Sequence, residues 1–219
     1  MSKTNSTTVV SQRPTTQARG RARRERLLQA AAELLSEKEI DEITFNEVSQ
    51  RAGIPNGSAY HFYANVMEIY SALTEKIGTD LFNYLQPPHP PEAVNNWEDV
   101  IRLSCRRAER FYAERPEARQ LLIGGKTPPQ YKRSDRENDR LLGQQIKTQI
   151  AAHFHLPSIP NELDVFFYSV EIIDLFYCLS MIRHKEITPE MGDEACLAGV
   201  AYLRTYLPAV LPRKQNSDT

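Results

Sequence analysis

A chain of 219 residues, 41% hydrophobic and 25% charged, is long enough for one sizeable core or two small domains and has the composition of an ordinary soluble globular protein. No apolar run approaches the ~20 residues of a membrane span, and the amino end lacks the apolar core of a secretory signal. No membrane partner is therefore expected, and the default compartment is the cytoplasm.

The net charge of −1 says nothing by itself about nucleic acid, but its distribution does. Residues 1–26 hold Lys3, Arg13, Arg19, Arg21, Arg23, Arg24 and Arg26 against Glu25, a local +6 on a body of −7. A basic arm on an acidic body confines DNA contact to one end. Residues 1–18, rich in Ser, Thr, Gln and Val, form the disordered part of that arm. A helix is predicted over Arg21–Ser36, with Leu27, Ala31, Leu34 and Leu35 as its apolar stripe. Glu37–Ile43 is an acidic loop.

The stretch Thr44–Tyr63 reads as two short helices and a tight turn. Thr44 is a good N-cap, and Glu47 completes a capping box. Phe45, Val48 and Ala52 give the first helix an apolar face, and Gly53 stops it in the left-handed conformation. Ile54 plugs the turn, and Pro55 opens a second helix over Asn56–Tyr63. That helix carries Asn56, Ser58, Tyr60 and His61, side chains of a kind that enter a major groove.

This run resembles the helix-turn-helix of the tetracycline-repressor-like (TetR) family, which combines Thr at the helix start, Ala-Gly-apolar at the turn, and then Gly-(Ser/Thr)-x-Tyr-(His/Tyr)-aromatic-aromatic. Ala52, Gly53, Ile54, Gly57, Ser58, Tyr60, His61, Phe62 and Tyr63 fit in order and without gaps. The resemblance covers residues 20–85 by motif and implies a double-stranded DNA operator as partner. It implies that Thr44 meets a phosphate, with Asn56, Ser58, Tyr60 and His61 facing the groove. Arg19, Arg21, Arg23 and Arg24 are placed for phosphates by charge and position. The family usually has a phosphate-gripping lysine where this chain has Val66; the helix amides at Asn65 offer a partial substitute. Ala59 is smaller than the Leu or Phe common before the tyrosine.

Asn65 and Glu68 then cap a connecting helix whose face runs Val66, Tyr70, Leu73, Ile77, Leu81 and Tyr84, reaching Leu85. Gln86–Pro91 breaks it, with His89 expected to be exposed. Further helices are predicted at Trp97–Glu114, Pro116–Ile123, Ser134–Phe154, Asn161–His184 and Pro189–Leu207, and Pro212 onward is a polar tail. The fold class is all-α. Residues 19–64 form the helix-turn-helix domain, and 65–211, with 65–85 as connecting helix, form a helical effector-binding and dimerisation domain.

Leu163–Ile182 is apolar all round, so it needs cover on several sides. An identical subunit, contacted also by the last helix, gives a homodimer; a wholly intramonomer core is the alternative. In the TetR family the second domain binds a small-molecule effector. Leu103, Phe111, Tyr112, Ile150, Phe167, Tyr168 and Val170 predict a pocket for an apolar or aromatic one. Glu171 and Asp174 either recognise a cationic or hydroxylated ligand, or pair with Arg106, Arg107 or His153, or cap the dimer contact.

Cys105, Cys178 and Cys196 form no Cys-x-x-Cys pair, which signals neither metal nor disulfide framework and leaves buried thiols or a redox sensor. No cofactor is expected. The leading function is a ligand-responsive transcriptional repressor released from a near-palindromic operator. A partner-binding adaptor with a vestigial DNA head is the alternative. A helical enzyme using Glu171 and Asp174 is a third, which lacks a metal pair, phosphate loop or nucleophile arrangement.

Overall fold

The computed structural model describes residues 16–126 and 132–214. Among them the fold is all-α. Its helices are α1 (Thr16–Glu37), α2 (Phe45–Arg51), α3 (Asn56–Ala59), α4 (Val66–Leu85), α5 (Trp97–Glu114), α6 (Pro116–Leu121), α7 (Lys132–His153), α8 (Glu162–His184) and α9 (Pro189–Leu203). A short 3-10 turn, Pro91–Ala93, sits between α4 and α5.

The local signals act as expected. The Thr44–Glu47 capping box opens α2, Asn65 caps α4, and Asn96 with Asp99 forms a further box at α5. Pro116 and Pro189 each occupy a helix start, where a missing N–H removes no bond. α1 begins at Thr16, five residues ahead of the predicted start, because Gln17, Ala18 and Arg19 favour helix. The predicted disordered arm otherwise falls on residues 1–15, outside the described residues. The helix expected over Asn56–Tyr63 is α-helical only to Ala59; bonds from His61 to Ser58 and from Phe62 to Ala59 tighten its last turn.

α1 packs on α2, α4 and α6 to close the N-terminal unit, with Leu27, Ala31, Leu34 and Leu35 buried. α4 runs from that unit into the body, where it meets α5, α6 and α7. Twenty residues of helix span ~30 Å, enough to join the two parts with one rod. The body's tightest packing is α7 against α8 and α8 against α9. A clasp at the junction uses Gln120 of α6: its Nε2 donates to Leu35 O (2.6 Å) and Lys38 O (2.7 Å), and its Oε1 accepts from Ile40 N (2.8 Å).

Two expectations need correction. α8 is, by length and composition, apolar enough to cross a membrane, although half of that segment is buried in the bundle and Glu171 and Asp174 interrupt it. Pro212–Lys214 is docked and not a free tail. His155 N donates to Pro212 O (2.8 Å), Lys214 N to His153 O (2.8 Å), and the Arg213 guanidinium to Val94 O. Arg213 also lies over the Phe154 ring at 5.7 Å, so an aromatic and two backbone pairs hold this segment against the end of α7. The rest of the predicted tail, 215–219, lies outside the described residues.

Candidate nucleic-acid interface and ligand cleft

α2 and α3 meet at a turn whose geometry is fixed from three sides. Gly53 adopts φ +61, the left-handed region that favours glycine. Arg26 of α1 reaches the carbonyls left open at the end of α2: Nη2 donates to Ala52 O (2.6 Å) and Gly53 O (2.9 Å), and Nε to Ala52 O (3.1 Å). Arg51 forks onto Glu37 at 2.9 and 2.8 Å, tying the end of α2 to the end of α1. Arg26 therefore belongs to the scaffold and not to the phosphate-facing arm. The signal that could have found it was the set of unpartnered carbonyls any helix leaves ahead of a Gly stop.

The predicted groove-facing residues gather on one surface. Tyr60 is 56% exposed, yet its ring stacks on Phe45, with centroids 4.4 Å apart and 21° between planes. Asn56 Nδ2 donates to Asn46 Oδ1 (2.6 Å), which brings Asn46 of α2 into the same patch. His61 is exposed and Ser58 half-buried, while Ala59 is fully buried beneath them. The small side chain at 59 lets α3 seat closely on the unit.

Arg19, Arg21, Arg23 and Arg24 are all exposed on the first turns of α1. Arg24 lies 5.9 Å from the Phe62 ring centroid, which sets the basic turns beside the end of α3. Thr44 is exposed, but both its hydrogens already go to Glu47: N and Oγ1 each lie 2.9 Å from Oε2. Lys38, 2.6 Å from Glu47, followed by those Thr44 bonds, holds the Glu47 carboxyl down to about 2. Val66 is half-buried against the core, so it offers no substitute for a cation.

In the body, a cleft of about 50 Å³ opens between α4, α5, α7 and α8, lined almost wholly by apolar surface. Of the predicted pocket residues, Tyr112, Val170 and Asp174 line it; Leu103, Phe111, Ile150, Phe167, Tyr168 and Glu171 do not. Phe111 is buried against Tyr84, and Ile150 is buried in the core. Phe167 lies under Arg140 at 4.7 Å, Tyr168 is half exposed, and Leu103 only packs against the core edge. Glu171 pairs with Arg136 (3.4 Å) and not with the arginines or histidine named from the sequence. It is thus held outside the cleft that Asp174 lines, which removes the enzyme reading of the two carboxylates. Sequence reasoning missed Gln145 and Gln149, which also line the cleft. A larger depression of about 570 Å³ lies where the loop after α1 meets α6 and the end of α8, but its lining is half polar.

Among the histidines, one departs from expectation. His89 is 4% exposed, not at the surface. Its Nε2 lies 3.1 Å from Ser104 Oγ and its Nδ1 3.3 Å from Arg107 Nη2. Burial, then the Arg107 charge and His153, lowers its pKa to about 4. Cys105 and Cys196, distant in sequence, line one depression between α5 and α9. The neighbouring thiol and burial push the Cys105 thiol up, while Cys105, with Arg102 and Arg106 nearby, holds Cys196 down.

With the reading head described, its kinship follows from sequence. Residues 27–73 match the profile of the bacterial regulatory proteins of the tetR family. Those residues are thus a helix-turn-helix, DNA-binding domain of the tetR type, the reading head of a transcriptional regulator. No curated protein matches the chain in sequence. Solved structures extend the likeness of fold over the body. A TetR-family regulator from Streptomyces coelicolor is similar at TM-score 0.63 and 19% identity, covering 84% of this chain and 99% of its own. A TetR regulator from Rhodococcus sp. RHA1 gives 0.61 and 19%, covering 84% and 97%. The multidrug binding protein EbrR, complexed with imidazole, gives 0.58 and 17%, covering 90% and 98%.

Proposed function

We propose that this chain acts as a homodimeric TetR-type repressor, released from a near-palindromic operator by a small, largely apolar effector. The observation that carries the DNA reading is the single patch formed by Tyr60 stacked on Phe45, the Asn56–Asn46 pair, and the exposed arginines beside Phe62. α3 enters the major groove, where Asn56, Ser58, Tyr60 and His61 meet base edges and backbone, while Arg19, Arg21, Arg23 and Arg24 hold phosphates. Thr44 contributes through the end of α2, once its hydroxyl is shared with a phosphate.

The dimer reading rests on an apolar stripe. Tyr168, Leu175 and Ile182 recur every seven residues along α8 and are 48%, 56% and 58% exposed; Leu197 of α9 is 57% exposed. A second copy related by a two-fold axis covers such a stripe with itself. The effector reading rests on the cleft. Its apolar lining suits a mainly apolar molecule, in keeping with a multidrug-binding protein of the same fold. Leu81 and Leu85 of α4 form one wall, so a ligand that parts the walls tilts the rod carrying the reading head. A 100-fold loss of operator affinity requires ~2.7 kcal/mol of preference for the released conformation.

The test is fluorescence anisotropy with promoter DNA from upstream of the protein's own gene. Arg23→Ala and Tyr60→Ala weaken binding, and Arg23→Ala also reduces the salt slope by about 0.9. Equal affinity of both variants and the parent refutes the groove assignment. Leu175→Glu turns the dimer into monomers in sedimentation and weakens operator binding with it.

A further inference from the structure

The cleft between α4, α5, α7 and α8 contains one group that its hydrocarbon lining leaves unexplained. Gln145 of α7 has both amide atoms, Nε2 and Oε1, buried and without a partner among the described residues. One turn on, Gln149 donates through Nε2 to Leu85 O (3.1 Å), while its buried Oε1 has none. Residues four apart share one helix face, and both line the same cleft with Leu142 and Ile146. An unpartnered buried amide is destabilising, and leucine at 145 would avoid that penalty. The amide becomes favourable when a bound molecule answers it.

We propose that the effector is an uncharged, mainly apolar molecule carrying an adjacent hydrogen-bond donor and acceptor on one edge, as in a lactam or primary amide. This deepens the effector reading above and rests on it. The ligand carbonyl accepts from Gln145 Nε2, and its N–H donates to Gln145 Oε1, the two-point pairing of one amide with another. Gln149 Oε1 accepts from any further N–H or hydroxyl. A cation would need an uncommitted carboxylate within the cleft. Asp174 already has an interaction within the protein, Glu171 is held by Arg136 away from the cleft, and Glu109 accepts from Tyr177 at 3.4 Å. A free acid would need a cation there, and Arg107 is committed to Leu85 O, Pro87 O and His89. Specificity therefore comes from the amide pair: a site built to bond a polar edge rejects an analogue lacking it, whereas hydrocarbon contact tolerates many shapes. A cavity of about 50 Å³ is smaller than a two-ring molecule, so binding moves the walls, α4 among them.

The test uses the full-length protein and calorimetry with three neutral two-ring probes: 2-quinolone, N-methyl-2-quinolone and quinoline. The parent binds 2-quinolone about tenfold more tightly than either analogue, equivalent to ~1.4 kcal/mol. In Gln145→Leu that preference vanishes, quinoline binds at least as well, and the variant melts at a higher temperature than the parent. Equal binding of 2-quinolone and its N-methyl derivative, a preference that survives Gln145→Leu, or a lowered melting temperature overturns the amide assignment. A cleft-filling Ala108→Leu separates the two readings. If it abolishes binding of probes that show no lactam preference, the effector site stands and the proposed chemistry falls. If no probe binds the parent, both fall.

Discussion

Acidification provides a direct physical test of the junction between α4 and α5. The Arg107 guanidinium has only hydrogens to give, so His89 Nδ1 must accept, and the ring is neutral with its proton on Nε2, donated to Ser104 Oγ. A second proton would go to Nδ1, facing the guanidinium in a site that is 4% exposed. Burial first, then Arg107 and His153, therefore lower the pKa from 6.5 to about 4. The folded value is below the unfolded one, so between those two values the unfolded chain takes up a proton that the folded chain refuses. Stability is full above pH 6.5 and declines as pH falls through that window. At 1.36 kcal/mol per unit, less an allowance for solvent reaching the loop, the loss by pH 4 is about 1–3 kcal/mol. Urea unfolding of the parent and His89→Gln from pH 7.5 to 4.5 isolates it, since carboxylates and His153 titrate in both. The parent loses more stability than the variant across the window. Parallel losses, or an NMR titration of His89 with a midpoint near 6.5, would refute the reasoning. Arg107 also bonds Leu85 O and Pro87 O, so the same protonation loosens the end of α4.

Arg26→Met removes three bonds to the turn between α2 and α3 and lowers stability by about 1–2 kcal/mol. Chemical denaturation detects this, whereas Arg23→Ala leaves the unfolding midpoint unchanged and alters DNA binding alone. An unchanged midpoint for Arg26→Met would refute its scaffold role. Gly143→Ala puts a Cβ 2.7 Å from Phe167 N and 2.8 Å from Phe166 C, backbone that cannot swing aside. α7 and α8 must then separate, at about 1–3 kcal/mol, which outweighs the ~1 kcal/mol by which Ala favours a helix over Gly. A raised melting temperature for that variant would rule out the close helix approach.

What could be foreseen from the chain, and what could not, divides at the range of the interaction. The capping box at Thr44, the Gly53 stop, the Asn65 cap and the proline helix starts are all decided within about four residues, so the N-terminal unit and most helix limits were legible. By charge alone Arg26 counts with the basic arm; its partners lie 26 and 27 residues away, beyond any local pattern. His89 was expected at the surface for the same reason: a Pro-rich loop gives no hint that Ser104 and Arg107 wait on the next helix. The cleft failed differently. α8 is apolar on every side, so periodicity could not say which of its aromatics turn inward; Phe167 packs under Arg140 and Tyr168 faces out. In α7 a usable signal was present. Leu142, Ile146 and Ile150 recur every four residues and mark the buried face, and Gln145 and Gln149 fall within the same stripe. Two amides on a helix's apolar stripe are unlike glutamines on its wet side, because burial removes the water that would satisfy them. That stripe, and not the aromatic content of the body, was the better guide to what lines the cleft.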